Sequence, residues 1–331
     1  GSAVHMDGQT LNVSFSAGLA FYPKHGDTAE TLLKSAEMAL GALRRQGEHD
    51  AIQCYTEQMK VDAMSRLSME SALREAIDKD QFVLVYQPKV DADRGCIVGG
   101  EALVRWHHPT EGVIGPVAFI PLLEEMGLIG HLGQWVLNQA CDDLSRWRAA
   151  GVPVVPIAVN LSAVQFGRQD LLVSIRDTLD AHEVGANMIE LEVTESALMR
   201  DTHATAEVLH GLHGLGLSLA VDDFGTGYSS LAYLKRFAVD TLKIDRSFVQ
   251  DCDGGGGDPA IVRAIIAMAR SLGMGLVAEG VETEAQARVL QAHGCPVMQG
   301  YLFARPMSEI DFRTALRDGL PGADRFRRAA E

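Results

Sequence analysis

The chain has no basic surplus. Its 29 lysines and arginines face 44 aspartates and glutamates, a formal charge of −15. That balance argues against a broad grip on a phosphate backbone, which needs a basic footprint, so no DNA or RNA polymer is expected as a partner. A small phosphate ligand stays open if metal ions mediate the contact. No apolar run approaches 18 residues and no signal peptide is seen, which predicts a soluble fragment with no membrane contact of its own. Cys54, Cys96, Cys141, Cys252 and Cys295 make no C-x-x-C pair, and such an odd, scattered set predicts reduced thiols in the cytoplasm. No G-x-G-x-x-G follows any apolar run, and no H-E-x-x-H occurs.

The 47% apolar content across 331 residues leaves room for one large domain, or one large and one small. "GSAVHM" at 1–6 reads as an expression scar and is set aside. In "LNVSFSAGLA", Leu11, Val13, Phe15, Ala17 and Leu19 alternate, which predicts one half-buried strand over 11–20. Asp27 and Glu30 suggest a capping box, followed by a helix with Leu32, Ala36, Ala39, Leu40 and Leu43 on its apolar face and Gly47 as its stop. One strand and one helix cannot bury a core alone, so 7–56 is expected to be the tail of a domain whose body is missing, joined by a helix over 57–80.

From residue 82 short apolar runs and amphipathic helical stretches alternate about eight times over some 240 residues. That rhythm predicts an α/β protein with a (β/α)₈ barrel over 81–320 and a tail at 321–331. Only "DADRGC" separates the first two runs, too little for a helix, so one antiparallel strand pair is expected there. An open doubly wound sheet is the runner-up.

The runs end in Gln87, Glu101, Asn160, Glu192, Asp222 with Asp223, Lys243, Glu279 and Gln299. Any one of these fits a helix cap, but a barrel brings all such ends to one face. Carboxylates gathered there cannot all stay ionised without cations. Oxygen and amide donors of this kind select a hard ion, Mg²⁺ or Mn²⁺, with Ca²⁺ open. Zinc is disfavoured, and His107 and His108 read as loop residues after the second run. Asp222 is suited to bridge two ions while Asp223 holds the second, the arrangement used for displacement at phosphorus. Lys243 would then position the attacking water and Glu279 would take its proton.

These residues resemble the EAL family of cyclic di-GMP phosphodiesterases. "GEALVRW", "VNLS", "LEVTES", "DDFGTGYSSL", "LKIDRSF", "AEGVE" and "QGYLF" occur in the family's order, across nearly all of 82–315. The resemblance implies metal ligation by Glu101, Asn160, Glu192, Asp222 and Asp223, a water-serving Lys243, and Glu279 as general base. It implies that Glu195 steadies the "DFGTGYSS" loop and that Glu282 is a further site glutamate. Gln87, Leu103, Arg105, Asp245 and Gln299 become substrate or neighbouring contacts. It also implies two Mg²⁺ or Mn²⁺ ions, inhibition by Ca²⁺, a homodimer, and a cytoplasmic setting, free or within a membrane-associated sensor. "VSFSAGLAFYP" through "LLKSAEMAL" is similar to the C-terminal end of a GGDEF domain, without its signature motif. A cyclic di-GMP receptor without turnover is the competing class, and an intact donor set speaks for catalysis. An enolase-type lyase is a third, with a lysine or histidine base beside its metal.

Overall fold

A strand keeps its face only as long as it keeps its partner, and the N-terminal segment changes partner midway. The computed structural model describes every residue except 1, 7, 8, 14, 46–49, 169, 200, 201, 226–233, 235, 253–259 and 328–331. It divides into two units, Gly1–Asp78 and Lys79–Glu331. In the first, β1 (Ser2–Met6) pairs antiparallel with β2 (Gln9–Val13), so Ser2–Met6 of the segment set aside as a scar forms a ladder. The single strand expected over 11–20 is in fact two. β2 ends at Val13, and β3 (Ala17–Leu19) runs parallel to β4 (Ile52–Cys54) in a separate sheet. Helix Ala29–Arg45 is capped by Thr28 rather than Asp27, since Thr28 Oγ1 accepts the Thr31 N–H at 3.2 Å. Gly18 lets β3 press on this helix: a Cβ there would sit 1.9 Å from the Ala36 carbonyl oxygen. The expected stop at Gly47 lies outside the described residues. The helix expected over 57–80 spans Glu57–Asp78.

The second unit holds β5 (Phe82–Asp91), β6 (Cys96–His108), β7 (Gly112–Ile114), β8 (Ile157–Asn160) and β9 (Ile189–Thr194). β10 (Ser218–Phe224), β11 (Thr241–Ile244), β12 (Gly275–Ala278) and β13 (Val297–Met298) complete it. The ring runs β5-β6-β8-β9-β10-β11-β12-β13 and closes on β5, while β7 only extends β6. This is the expected eight-stranded barrel rather than an open sheet. β5 is its antiparallel strand, opposed to both β6 and β13. The short connector explains it. Gly95 takes φ +66° and donates to the Asp91 carbonyl at 2.7 Å, turning the chain straight back. His107 and His108 are not in a loop. They close β6, paired with Val113 and Gly112 of β7.

Side chains alternate across each strand. On β9, Ile189, Leu191 and Val193 are buried on one face, while Glu190 and Glu192 occupy the other, turned into the barrel. Outside the ring, the tryptophans pack as read from the sequence. Trp106 and Trp135 sit with Phe82, and Trp147 meets Tyr86 and Phe312. Among the described residues no helix is long and apolar enough to cross a membrane, and all five cysteines are free. The "DFGTGYSS" loop beyond Gly225 and the 254–257 glycines fall outside the described residues.

Candidate active site

Parallel strands present their C-terminal ends at one rim, so register decides which side chains meet. Asn160 of β8 pairs with Glu192 of β9, and Thr194 of β9 with Asp222 of β10. Gln87 of β5 lies across from Glu101 of β6. The Lys243 ammonium occupies the middle, 2.5 Å from Glu192, 2.6 Å from Glu279, 3.1 Å from Asp222 and 3.8 Å from Glu101. Asn160 Nδ2 donates to Glu101 Oε1 at 2.9 Å. Gln299 Nε2 donates to Glu101 Oε2 at 2.6 Å and to Gln87 Oε1 at 3.0 Å. The separate strand ends therefore form one hydrogen-bonded cluster.

Adjacent aspartates on a regular strand would face opposite sides. Here β10 shifts register between Val221 and Phe224, and Asp223 takes a left-handed φ of +54°. A non-glycine residue there is costly unless its surroundings impose it, and such strain clusters at functional sites. The bend returns the second carboxylate to the mouth. Ligand atoms of Asp222, Asp223 and Glu279 all lie within 4.8 Å of one another. That donor set fits a hard cation. Buried Gln299 Oε1 and Glu195 Oε1, each without a hydrogen-bond partner, are further open acceptors.

The charges are strongly coupled. Burial opposes the Lys243 charge, but Glu101, Glu192, Glu279 and Asp222 together hold it well above the ordinary lysine value. Burial also opposes ionised Glu192, yet Lys243 and Lys89 pull it down to about 2. Glu279 goes the other way, pushed up to about 8 by burial, with Asp222, Glu101 and Glu192 adding to the rise against Lys243. Burial raises Glu101, Asp222 and Asp223 as well, with nearby carboxylates adding to it. These four carboxyls are raised first by burial and then by the negative charge that shares one mouth.

The remaining expected residues surround this cluster. Glu195 Oε2 accepts the Gly225 N–H at 2.7 Å, which ties the end of β10 to the start of the short helix Glu195–Leu198 that follows β9. Leu103 lines the cleft of about 220 Å³ above the cluster, together with Gln87, Glu101, Asp222, Glu279 and Gln299. Glu282 lies at the same cleft, ion-paired to Arg246 at 3.0 Å. Arg105 is half-buried and donates to the Val104 carbonyl at 2.9 Å. Asp245 caps helix Arg246–Gln250, accepting from the Ser247 N–H at 3.0 Å and its hydroxyl at 2.5 Å, and lies outside the cleft lining.

Sequence reasoning missed three residues. Arg246 lines the cleft. Lys89 is buried and pairs with Glu190 at 2.5 Å and Glu192 at 2.8 Å. The last polar residue of a run marks the mouth only on a parallel strand. β5 descends, so Lys89, two past Gln87, points into the interior below it. The spacings Gln87/Lys89 and Glu190/Glu192 were the available signal.

The EAL domain family matches residues 70–306. The chain belongs to that family. It is 45% identical over 304 residues to cyclic di-GMP phosphodiesterase NbdA of Pseudomonas aeruginosa, covering 92% of this chain and 39% of NbdA. The bifunctional diguanylate cyclase/cyclic di-GMP phosphodiesterase MucR of the same organism is 44% identical over 298 residues, covering 90% of this chain and 43% of MucR. This chain thus spans about two fifths of the length of these curated relatives. The EAL fold is shared with the PaMucR phosphodiesterase in complex with c-di-GMP, at TM-score 0.71 and 46% identity, covering 74% of this chain and 99% of that one. It is shared also with the EAL domain of Mycobacterium smegmatis DcpA, at TM-score 0.64 and 41% identity, covering 72% and 99%.

Proposed function

We propose that this EAL domain hydrolyses cyclic di-GMP to linear pGpG in bacterial second-messenger signalling, using divalent cations at the carboxylate cluster. The observation that carries it is a charge count. Ionised Glu101, Glu190, Glu192, Asp222, Asp223 and Glu279 bring six negative charges and Lys89 and Lys243 return two, leaving four, the charge of two divalent cations. Glu101, Asn160, Glu192, Asp222 and Asp223 would hold the ions, Mg²⁺ or Mn²⁺ for this oxygen set, with Ca²⁺ expected to inhibit. Bound there, the ions would supply a water acidified near neutral pH and neutralise charge developing on the phosphate.

The protein's own groups do the rest. Glu279, 2.6 Å from Lys243, accepts the proton of the attacking water, and the ammonium restrains that carboxylate. Gln87 and Gln299 hold Glu101 in place, and the buried Gln299 Oε1 remains to receive a donor from substrate or solvent. Leu103 lines the cleft and Arg105 follows two residues on along β6, so both would contact the nucleotide. The names of NbdA and MucR support the reaction, and the PaMucR complex supports the substrate.

The alignment to MucR, a bifunctional diguanylate cyclase/phosphodiesterase, is longer than the stretch matched by the EAL family, which is compatible with 7–56 being the end of a cyclase-type domain. Free cysteines support a cytoplasmic setting, and a homodimer is expected. A mass in solution that stays monomeric at every concentration would count against the dimer. The reaction itself is tested by incubating pure protein with cyclic di-GMP and Mn²⁺, with and without chelator, and separating products. Linear pGpG that disappears with chelator and with Glu101→Ala is the expected result. Tight nucleotide binding with no pGpG in either metal would make the domain a receptor instead.

A further inference from the structure

We infer that Lys89 is a positioning residue that locks the Glu192 carboxylate from beneath, with Glu190 anchoring its ammonium in turn. The inference deepens the phosphodiesterase reading and rests on it for the task of Glu192. The two oxygens of Glu192 are divided between two lysines. Oε1 accepts from Lys89 at 2.8 Å, and Oε2 from Lys243 at 2.5 Å. A carboxylate held by one partner keeps a broad terminal torsion, whereas one gripped at both oxygens has a fixed plane. Lys243 is shared by three further carboxylates at the mouth, so it cannot by itself set the orientation of Glu192.

Lys89 reaches this place only because β5 is antiparallel, which puts the residue two past Gln87 deeper in the barrel. There the interior reads as a column of alternating sign: Glu190, Lys89, Glu192, Lys243, then the mouth carboxylates. Lys89, 5% exposed, touches neither the cleft nor the donor atoms grouped at Asp222, Asp223 and Glu279. It acts through Glu192. Residues that orient a ligand from behind typically carry a 10- to 100-fold share of metal affinity or activity.

A simpler role would be to neutralise Glu190 and nothing more. Three proteins separate the two: wild type, Lys89→Met, and the double variant Lys89→Met/Glu190→Gln, which removes the charge pair as a unit. For each, kcat and KM for cyclic di-GMP with Mn²⁺, the Mn²⁺ dissociation constant by calorimetry without substrate, and the melting temperature in chelator are measured. Both variants are expected to lose about 10- to 100-fold in kcat and in Mn²⁺ affinity, with KM within about threefold. The double variant is expected to regain melting temperature but neither of the other two. Wild-type kcat and Mn²⁺ affinity in the double variant would overturn the proposal, as would a Lys89→Met protein unchanged in both. If Lys89→Met does not fold, the double variant decides alone. A wild-type protein that binds Mn²⁺ but releases no pGpG would sink the phosphodiesterase reading, while the Mn²⁺ affinities would still judge Lys89.

Discussion

The two faces of β9 are filled by opposite chemistry. On β9, Ile189, Leu191 and Val193 lie 0 to 2% exposed on the outer face, and Glu192 lies 1% exposed on the inner one. Barrel interiors are ordinarily packed with branched aliphatics, so an inner face carrying Glu190, Glu192, Lys89 and Lys243 gives up hydrophobic filling. Replacing buried ion pairs with apolar residues is often neutral or stabilising, which means the inner charges are kept for something other than stability. The outer face makes the barrel, and the inner face makes the site. The two therefore fail in different ways: an outer truncation leaves a hole, an inner one leaves uncompensated charge.

Lys243→Met should separate the faces most sharply. It strips the shared cation from Glu101, Glu192, Asp222 and Glu279, and unpairing a buried ion pair costs about 3–5 kcal/mol. Denaturant titration in chelator should register that loss, and Mn²⁺ should restore part of it by replacing the missing positive charge. Turnover should fall roughly 10²–10⁴-fold, the range for losing general-base catalysis, because Glu279 loses the ammonium that restrains it. Leu191→Ala, on the outer face and adjacent in sequence to both Glu190 and Glu192, should cost about 2–5 kcal/mol, with kcat per folded molecule nearly unchanged. If both variants lose activity and stability in the same proportion, the division between faces is wrong.

The barrel and its mouth were legible because both are periodic. Apolar runs with polar ends at parallel strands carry their own statement of which end is shared, and Glu101, Asn160, Glu192, Asp222, Lys243 and Glu279 came from that rule alone. The rule breaks wherever the strand does not run with its neighbours. β5 is antiparallel, so the inward residue after Gln87 was Lys89, below the mouth, and the rule passed over it. It also passed over Glu190, because only the final polar residue of a run was read. The left-handed Asp223 is a property of register between β10 and β11, and no pattern within "AVDDFG" encodes it. The alternation over 11–20 misled because it spans two strands with different partners, β1 just before it and β4 farther along the chain.

A smaller effect tests the acid–base state of the inner face. With Glu279 at about 8 and Glu101, Asp222 and Asp223 also raised, the ion-free mouth still carries protons at neutral pH. Cations bind the ionised carboxylates, so loading must release those protons. Apparent Mn²⁺ affinity should rise with pH up to about 8 and then level. Calorimetry in two buffers of different ionisation enthalpy should detect proton release at pH 7 that fades above that point. The sign for stability is opposite. A carboxyl raised in the folded state binds more protons there than in the unfolded chain, so its contribution is present below pH 4.5 and is lost as pH rises through about 8. Chelated protein should therefore lose that increment across the window, and Glu279→Gln should flatten both curves. An Mn²⁺ affinity that does not change between pH 6 and pH 8 would mean the mouth is already fully ionised.

Asp245, which follows β11 and caps the next helix, gives the finest test. Its resemblance-based role is a substrate contact, yet its Oδ1 caps the short helix Arg246–Gln250, and its charge lies close enough to raise Asp223. Asn keeps a capping oxygen and removes the charge, while Ala removes both. If Asp245 is chiefly a cap, Asp245→Ala should cost about 1 kcal/mol and Asp245→Asn only a few tenths, with KM for cyclic di-GMP nearly unchanged in both. If it grips the nucleotide, both variants should raise KM alike while their stabilities still differ. The geometry favours the first outcome, because the Ser247 N–H and hydroxyl both donate to the same Asp245 oxygen and Asp245 is not among the residues that line the cleft.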